Sequence, residues 1–160
     1  MMATQSEAIA AVDQAFGSLP KPEHFTNFTH CEECAEHDEL LRSRTRETLT
    51  FQDVGNPGWE PMCFSSPEGM AFYMPSLARL VFTDPPYGYA WYGDQLLFHL
   101  YSGGFHSGLH TYCNAEQRQA IAVLIGAMIE SHGVDIEASS SEEEFFRAHE
   151  IWSHVAPSIP

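Results

Sequence analysis

Signals for the start of a helix recur along this chain and constrain its fold more than any other feature. In a capping box, a serine, threonine or asparagine and a glutamate or glutamine three residues later satisfy backbone N–H groups at a helix start. Such pairs precede four segments whose side chains have helical spacing. The four pairs are Thr4/Glu7, Thr29/Glu32, Asn114/Gln117 and Ser141/Glu144.

Ser66-Pro67-Glu68 marks a further helix start, with a serine cap, proline at the first helical position and an acid in the first turn. Apolar residues surround the segment that follows, which predicts the central helix of the core. Pro75 lies inside this segment and is expected to kink or break it near Met74. A short helix is predicted over 95–100.

These signals predict an all-α fold, a single compact helical domain of about six helices joined by long connecting loops. The domain spans residues 1–160, of which residues 156–160 form a loose tail. A chain of 160 residues fits one domain, and 44% apolar residues with eleven phenylalanines can form a packed core. The sequence contains no internal repeat.

The charge balance limits the partners. Seven lysines and arginines face 22 aspartates and glutamates, which gives a net charge of −15. Such a field repels phosphate backbones and anionic bilayers, and it argues against binding to nucleic acid or membranes. It is compatible with a basic protein partner or with metal cations.

Targeting signals are not evident. The N-terminal segment lacks a basic region before an apolar core, and the ten-residue apolar run over 120–129 is too short to span a bilayer. We therefore expect a cytoplasmic protein. In a reducing compartment, a C-x-x-C motif is more often metal-binding or catalytic than a structural disulfide.

The stretch from Thr29 to Leu41 carries the candidate site. If it is helical, His30, Cys34, His37 and Leu41 lie on one stripe, at relative positions 0, 4, 7 and 11. Imidazole and sulfur then occupy the face on which an amphipathic helix normally carries leucines. Burying these groups is unfavourable unless something pairs with them.

A zinc ion is the predicted companion, since it accepts thiolate and imidazole ligands in a tetrahedral shell. The expected ligands are Cys31, Cys34, His37 and one of His24 or His30. Four protein ligands would make the site structural, whereas three would leave a position open for metal-assisted hydrolysis.

The simpler interpretation is that these residues only pack. Cys34 would then be a small buried hydrophobe, and the histidines would be core or rim residues. Cys63 has apolar neighbours in sequence and is expected to pack in the core rather than bind metal. Three later histidines are expected to be separate surface residues. They are His99, His106 and His110.

The chain resembles a group of small uncharacterised bacterial proteins. The resemblance covers residues 5 to about 130. It implies a one-domain helical protein and carries no catalytic role. The matching motifs are Pro22-Glu23-His24-Phe25-Thr26, His30-Cys31-x-x-Cys34-x-x-His37-Asp38, Ser66-Pro67-Glu68-Gly69 and Tyr73-x-Pro75.

The motif is also similar to that of the alkylhydroperoxidase D-like proteins, which are all-helical and reduce peroxides with C-x-x-C and a histidine on the same helix. Cys31 and Cys34 match the pair, whereas His37 follows Cys34 by three residues instead of four and Asp38 holds the matching position. The resemblance implies a thiol oxidoreductase in which Cys31 attacks and Cys34 resolves. Acidic neighbours such as Glu32 oppose a thiolate there.

A third hypothesis is a non-catalytic acidic module that binds a basic protein and uses its cysteines only for stability. Its support is the charge alone. Serine-hydrolase and nucleotide-binding functions lack their motifs, because the sequence contains no G-x-S-x-G, Walker or dinucleotide-binding pattern.

Overall fold

The computed structural model describes residues 3–104 and 107–154, so the predicted tail at 156–160 lies outside the described residues. Within the described part the fold is all-α, as predicted, with no strand and nine α-helices. Six of these helices have seven or more residues, which matches the expected number.

The elements follow one another along the chain with short or irregular connections. A 3-10 turn, Pro61–Phe64, lies between the third and fourth helices. The helices are α1 Gln5–Phe16, α2 Glu32–Ser43, α3 Phe51–Val54, α4 Pro67–Val81, α5 Gly93–Tyr101, α6 Gly108–Tyr112, α7 Ala115–Ser131, α8 Gly133–Ala138 and α9 Glu142–Ser153.

Two of the four predicted capping boxes form, at Thr4 and at Asn114. The box at Thr29 is wrong, because α2 begins two residues later than expected with Cys31 as its N-cap. Thr29 instead donates its hydroxyl to Oδ1 of Asn27 at 3.2 Å. The box at Ser141 is also wrong, since its hydroxyl contacts Ser139 and Asp94 and makes no cap hydrogen bond.

The core forms around α4, whose residues from Gly69 to Val81 are nearly all buried. This helix begins at the predicted Ser66 cap and continues unbroken through Pro75, so the expected break does not occur. Helix α1 packs against both α4 and α7, and α9 packs against α7 and α5. The central position predicted for α4 is therefore confirmed.

Helix α2 lies at the edge of this core and packs against the 3-10 turn. Tyr73 of α4 anchors its C-terminal end, because the tyrosine hydroxyl donates to the carbonyls of Leu41 and Arg44. These contacts satisfy carbonyl groups that a helix end leaves without intrahelical partners. The anchor fixes α2 on the core while its N-terminal end reaches the surface.

None of the helices that the structure describes combines the length and the apolar character needed to cross a bilayer.

Candidate metal centre

Three predicted ligands meet where α2 begins. The sulfur atoms of Cys31 and Cys34 lie 3.3 Å apart, and the Cys34 sulfur lies 3.7 Å from Nδ1 of His30. All three ligand atoms lie within 4.8 Å of one another. The chain therefore carries a compact set of two sulfurs and one imidazole nitrogen.

The helix start produces this arrangement. Cys31 is the N-cap residue in an extended conformation, and its sulfur accepts the Cys34 backbone N–H at 3.4 Å. Serine or aspartate oxygens usually fill this role. Since a cap side chain turns back over the first helical turn, the C-x-x-C spacing brings the two sulfurs together.

The two cysteines differ in exposure and in acidity. Cys31 is exposed, and its pKa falls to about 7 because the Cys34 N–H and the His30 side chain both hydrogen-bond to its sulfur. Cys34 is only 7% exposed. The hydrogen bond to Cys31 and burial together raise the pKa of Cys34. Cys31 is thus the thiol that ionises first.

His24, a predicted ligand, lies outside this group. Its Nδ1 is 2.7 Å from Oδ2 of Asp38, and its ring stacks on Phe28. The other carboxylate oxygen of Asp38 accepts the backbone N–H groups of Phe25 and Thr26. Burial alone would raise the pKa of Asp38, but these hydrogen bonds outweigh it and lower the pKa.

His37, another predicted ligand, is also held elsewhere. Its side chain is fully buried between the rings of Trp59 and Phe64, at centroid distances of 4.4 and 4.7 Å. Neither ring nitrogen has a hydrogen-bond partner among the described residues, although Oε1 of Glu33 lies 3.7 Å from Nε2. The His37 ring therefore acts in packing α2 against the 3-10 turn.

The predicted helical stripe is correct for Cys34, His37 and Leu41, which are all buried. It is wrong for His30, which precedes the helix and is exposed. His30 nevertheless reaches Cys34, because the chain turns sharply at Cys31.

A second group of potential ligands was not predicted. Glu60, Cys63 and His99 also place a carboxylate oxygen, a sulfur and an imidazole nitrogen within 4.8 Å of one another. The spacing of Glu60 and Cys63, three residues apart, is the one signal present in the sequence. The third member, His99, comes from a distant helix and could not be assigned without the structure.

The structure corrects the expectations for Cys63, His99 and His110. Cys63 does not pack in the core, since it is exposed and its sulfur lies 3.5 Å from Oε2 of Glu60. His99 and His110 are not surface histidines, because the His99 side chain is 6% exposed and His110 is 1% exposed. His106 lies outside the described residues.

Both groups combine donors that borderline metals prefer. Thiolate and imidazole together favour zinc and similar ions, whereas calcium and magnesium require mostly oxygen ligands. Residues 3–104 and 107–154 therefore contain two candidate metal-binding groups, one at the start of α2 and one between the 3-10 turn and α5.

No protein-family model matches the chain, and no curated protein or solved structure is significantly similar to it. The two resemblances based on its motifs therefore stay predictions.

Proposed function

We propose that this protein binds zinc through His30, Cys31 and Cys34. The observation that carries the proposal is the convergence of these three ligand atoms at the start of α2. Zinc binds sulfur at about 2.3 Å and imidazole nitrogen at about 2.0–2.1 Å, so tetrahedral ligands lie roughly 3.5–3.8 Å apart. The sulfur–nitrogen distance of 3.7 Å lies in this range, and the sulfur–sulfur distance of 3.3 Å is shorter by a few tenths of an ångström, which a small side-chain rotation would correct.

The charge of the surroundings supports a cation. Glu32 and Glu33 lie between the two cysteines in the sequence, and the whole chain has a net charge of −15. This field attracts a divalent ion, and the charge of Glu33 contributes to the raised pKa of Cys34, since a nearby anion disfavours a further negative charge. A bound zinc would relieve the repulsion by neutralising the thiolates.

Three protein ligands leave one coordination position for water or an external ligand. When bound, zinc would supply Lewis acidity and a water of lowered pKa at that position. In the chain itself, Cys31 and Cys34 would hold the ion at the helix start, and His30 would close the group from the preceding loop. The predicted ligand His37, and His24 as one of the two predicted choices for the fourth ligand, are not required by this proposal.

The test uses untagged protein loaded with zinc, dialysed, and assayed for bound metal and for its ligands by X-ray absorption. We expect a zinc shell with two sulfurs and one imidazole, which Cys31→Ser,Cys34→Ser abolishes. Cys113→Ala is the matched control, because Cys113 is a buried cysteine outside both groups. Absence of this two-sulfur shell in folded wild-type protein would refute the proposal.

A dithiol redox centre is the second candidate, favoured by the unequal exposure of the two cysteines. Cys31 is exposed and Cys34 is buried behind it, with the sulfurs 3.3 Å apart. A disulfide requires about 2.05 Å, so a small movement would join them. An exposed attacking thiol backed by a buried resolving thiol is the arrangement expected for thiol–disulfide chemistry.

The reaction would reduce a peroxide in two steps. The Cys31 thiolate attacks one peroxide oxygen, the O–O bond breaks, and the leaving oxygen takes a proton and departs as water or an alcohol. Cys34 then attacks the resulting sulfenic sulfur, which releases water and forms the disulfide. An external dithiol would restore both thiols.

Peroxide consumption with dithiothreitol as reductant tests this candidate. We expect turnover that Cys31→Ser abolishes, and a Cys31–Cys34 disulfide detectable by mass spectrometry after mild oxidation. A wild-type protein that forms no such disulfide would exclude the redox function. Binding of a basic partner to the acidic surface stays a prediction based on charge.

A further inference from the structure

The residues Glu60, Cys63 and His99 come together where the 3-10 turn meets α5. Glu60 precedes the turn, and residues three apart in a 3-10 helix lie above one another. Glu60 and Cys63 therefore point to the same side. His99, 39 residues after Glu60, extends from α5 to meet them.

The Glu60 carboxylate lies between its two neighbours. One oxygen, Oε1, is 2.6 Å from Nε2 of His99, and the other, Oε2, is 3.5 Å from the sulfur of Cys63. The side chains of Glu60 and His99 are each only 6% exposed. A proton lies in each of these two contacts, Glu60 to His99 and Cys63 to Glu60. A metal ion that binds to the same side chains displaces such protons.

A cavity of about 270 Å³ adjoins the group, and both Cys63 and His99 line it. The remaining wall combines polar residues such as Ser102 and Ser107 with apolar ones such as Met70 and Leu109. A small ligand can therefore approach the donors of the second group.

A buried hydroxyl near the group also lacks a partner. Tyr92 is fully buried, and its hydroxyl makes no hydrogen bond with any described residue. Burial, together with the charges of Glu60 and Cys63, raises the pKa of Tyr92. A buried polar group without a partner is unfavourable, and a bound ion or ligand is one way in which such a group can be satisfied.

We propose that Glu60, Cys63 and His99 form a second, independent site for zinc or a similar divalent ion, with an open position for a small anionic ligand from the cavity. A buried Glu60–His99 pair that served only to stabilise the fold would not need a thiol beside it. The Cys63 sulfur adds a third potential metal ligand to the pair. Three protein ligands and one open position are the composition of catalytic zinc sites. The proposal is independent of the zinc site at α2.

Cobalt is the probe, because its thiolate complexes absorb in the near ultraviolet and its visible bands report the coordination number. The titration uses Cys31→Ser,Cys34→Ser, which lacks both sulfurs of the first group. We expect one equivalent of cobalt bound through a single thiolate. Sodium azide, added afterwards, is expected to change the visible spectrum by occupying the open position.

Ligand substitutions in the same background identify the donors. Adding Cys63→Ser is expected to remove the thiolate absorption. Adding His99→Gln should weaken cobalt binding at least about tenfold, because mutating even a residue that only hydrogen-bonds to a metal ligand weakens metal binding by about that factor. His132→Gln is the matched control, because His132 pairs with Asp135 outside both groups. Binding that is absent, or unchanged by Cys63→Ser and His99→Gln, overturns the proposal.

A measurement on wild-type protein tests the proposal even if the variants fail to fold. Zinc is expected to slow the alkylation of Cys63 by iodoacetamide, followed by mass spectrometry, whereas magnesium is not, because it prefers oxygen ligands. An alkylation rate of Cys63 that zinc leaves unchanged would contradict the second site even if Cys31 and Cys34 are protected.

Discussion

The Nδ1 atom of His24 lies 2.7 Å from Oδ2 of Asp38, so a carboxylate on α2 holds a loop histidine that the sequence suggested as a zinc ligand. The same carboxylate accepts two backbone N–H groups of that loop. Asp38 therefore fastens the segment before α2 to the helix itself. This relationship gives the fold a specific, testable anchor.

Asp38→Asn is expected to destabilise the protein. The amide retains one oxygen but loses the charge, and hydrogen bonds to charged groups are worth about 1.5–3 kcal/mol each. We expect a loss of roughly 2 kcal/mol in the free energy of unfolding, measured by urea denaturation. The control is Glu39→Gln on the exposed side of α2, which should change little. Equal effects from both variants would contradict the anchor.

The contribution of Asp38 should also depend on pH. Its pKa in the folded protein lies below its ordinary value of 3.8, because its hydrogen bonds outweigh the effect of burial. A depressed carboxyl pKa gives stability that is present above the ordinary pKa and is lost as the pH falls through the folded value. The stability difference between wild type and Asp38→Asn should therefore shrink between about pH 5 and pH 2. A constant difference would exclude this role.

Tyr73→Phe is expected to weaken the attachment of α2. The hydroxyl of this fully buried tyrosine donates to the carbonyls of Leu41 and Arg44, which would lose that donor. A lost buried hydrogen bond costs about 1–3 kcal/mol. Thermal unfolding of the variant measures the change, and Tyr87→Phe, at a fully exposed tyrosine, is the control. Equal melting temperatures for Tyr73→Phe and wild type would disprove the anchor.

Cys31 should be the most reactive thiol in metal-free protein. Its pKa is about 7. Partial desolvation of the Cys63 sulfur and the adjacent Glu60 carboxylate raise the pKa of Cys63 to about 11, and burial raises that of Cys113 to about 12. Since the thiolate is the nucleophile, alkylation of Cys31 should rise with pH through neutrality and then level off. Mass spectrometry after brief iodoacetamide treatment gives the order of modification. Faster labelling of Cys63 would contradict the assignment.

His37→Phe should retain zinc binding. The ring packs between Trp59 and Phe64, and the substitution keeps an aromatic ring while removing two buried nitrogens. We expect the zinc content to be unchanged and the stability to change by no more than about 1 kcal/mol. His24→Ala is expected to retain zinc as well. Loss of one zinc in either variant would restore that histidine as a ligand.

Much of the fold was accessible from the sequence because helix starts are local. Thr4 and Asn114 lie next to the residues that they cap, so their boxes could be identified from spacing alone. The failure at Thr29 is also local, because Thr29 donates to Asn27 and the sulfur of Cys31 caps α2 instead. The failure at Ser141 has a different cause. Ser141 contacts Asp94, 47 residues away, and such a partner leaves no signal in the local sequence.

The candidate site also has a part that local sequence predicts and a part that depends on long-range contacts. The sequence by itself determined that Cys31 and Cys34 are neighbours, since a C-x-x-C motif at a helix start brings its sulfurs together. Only the tertiary structure decided the partners of three histidines. His24 hydrogen-bonds to Asp38, His37 packs against Trp59, and His99 hydrogen-bonds to Glu60. An imidazole binds whichever partner the packed chain places beside it, and that partner comes from long-range packing.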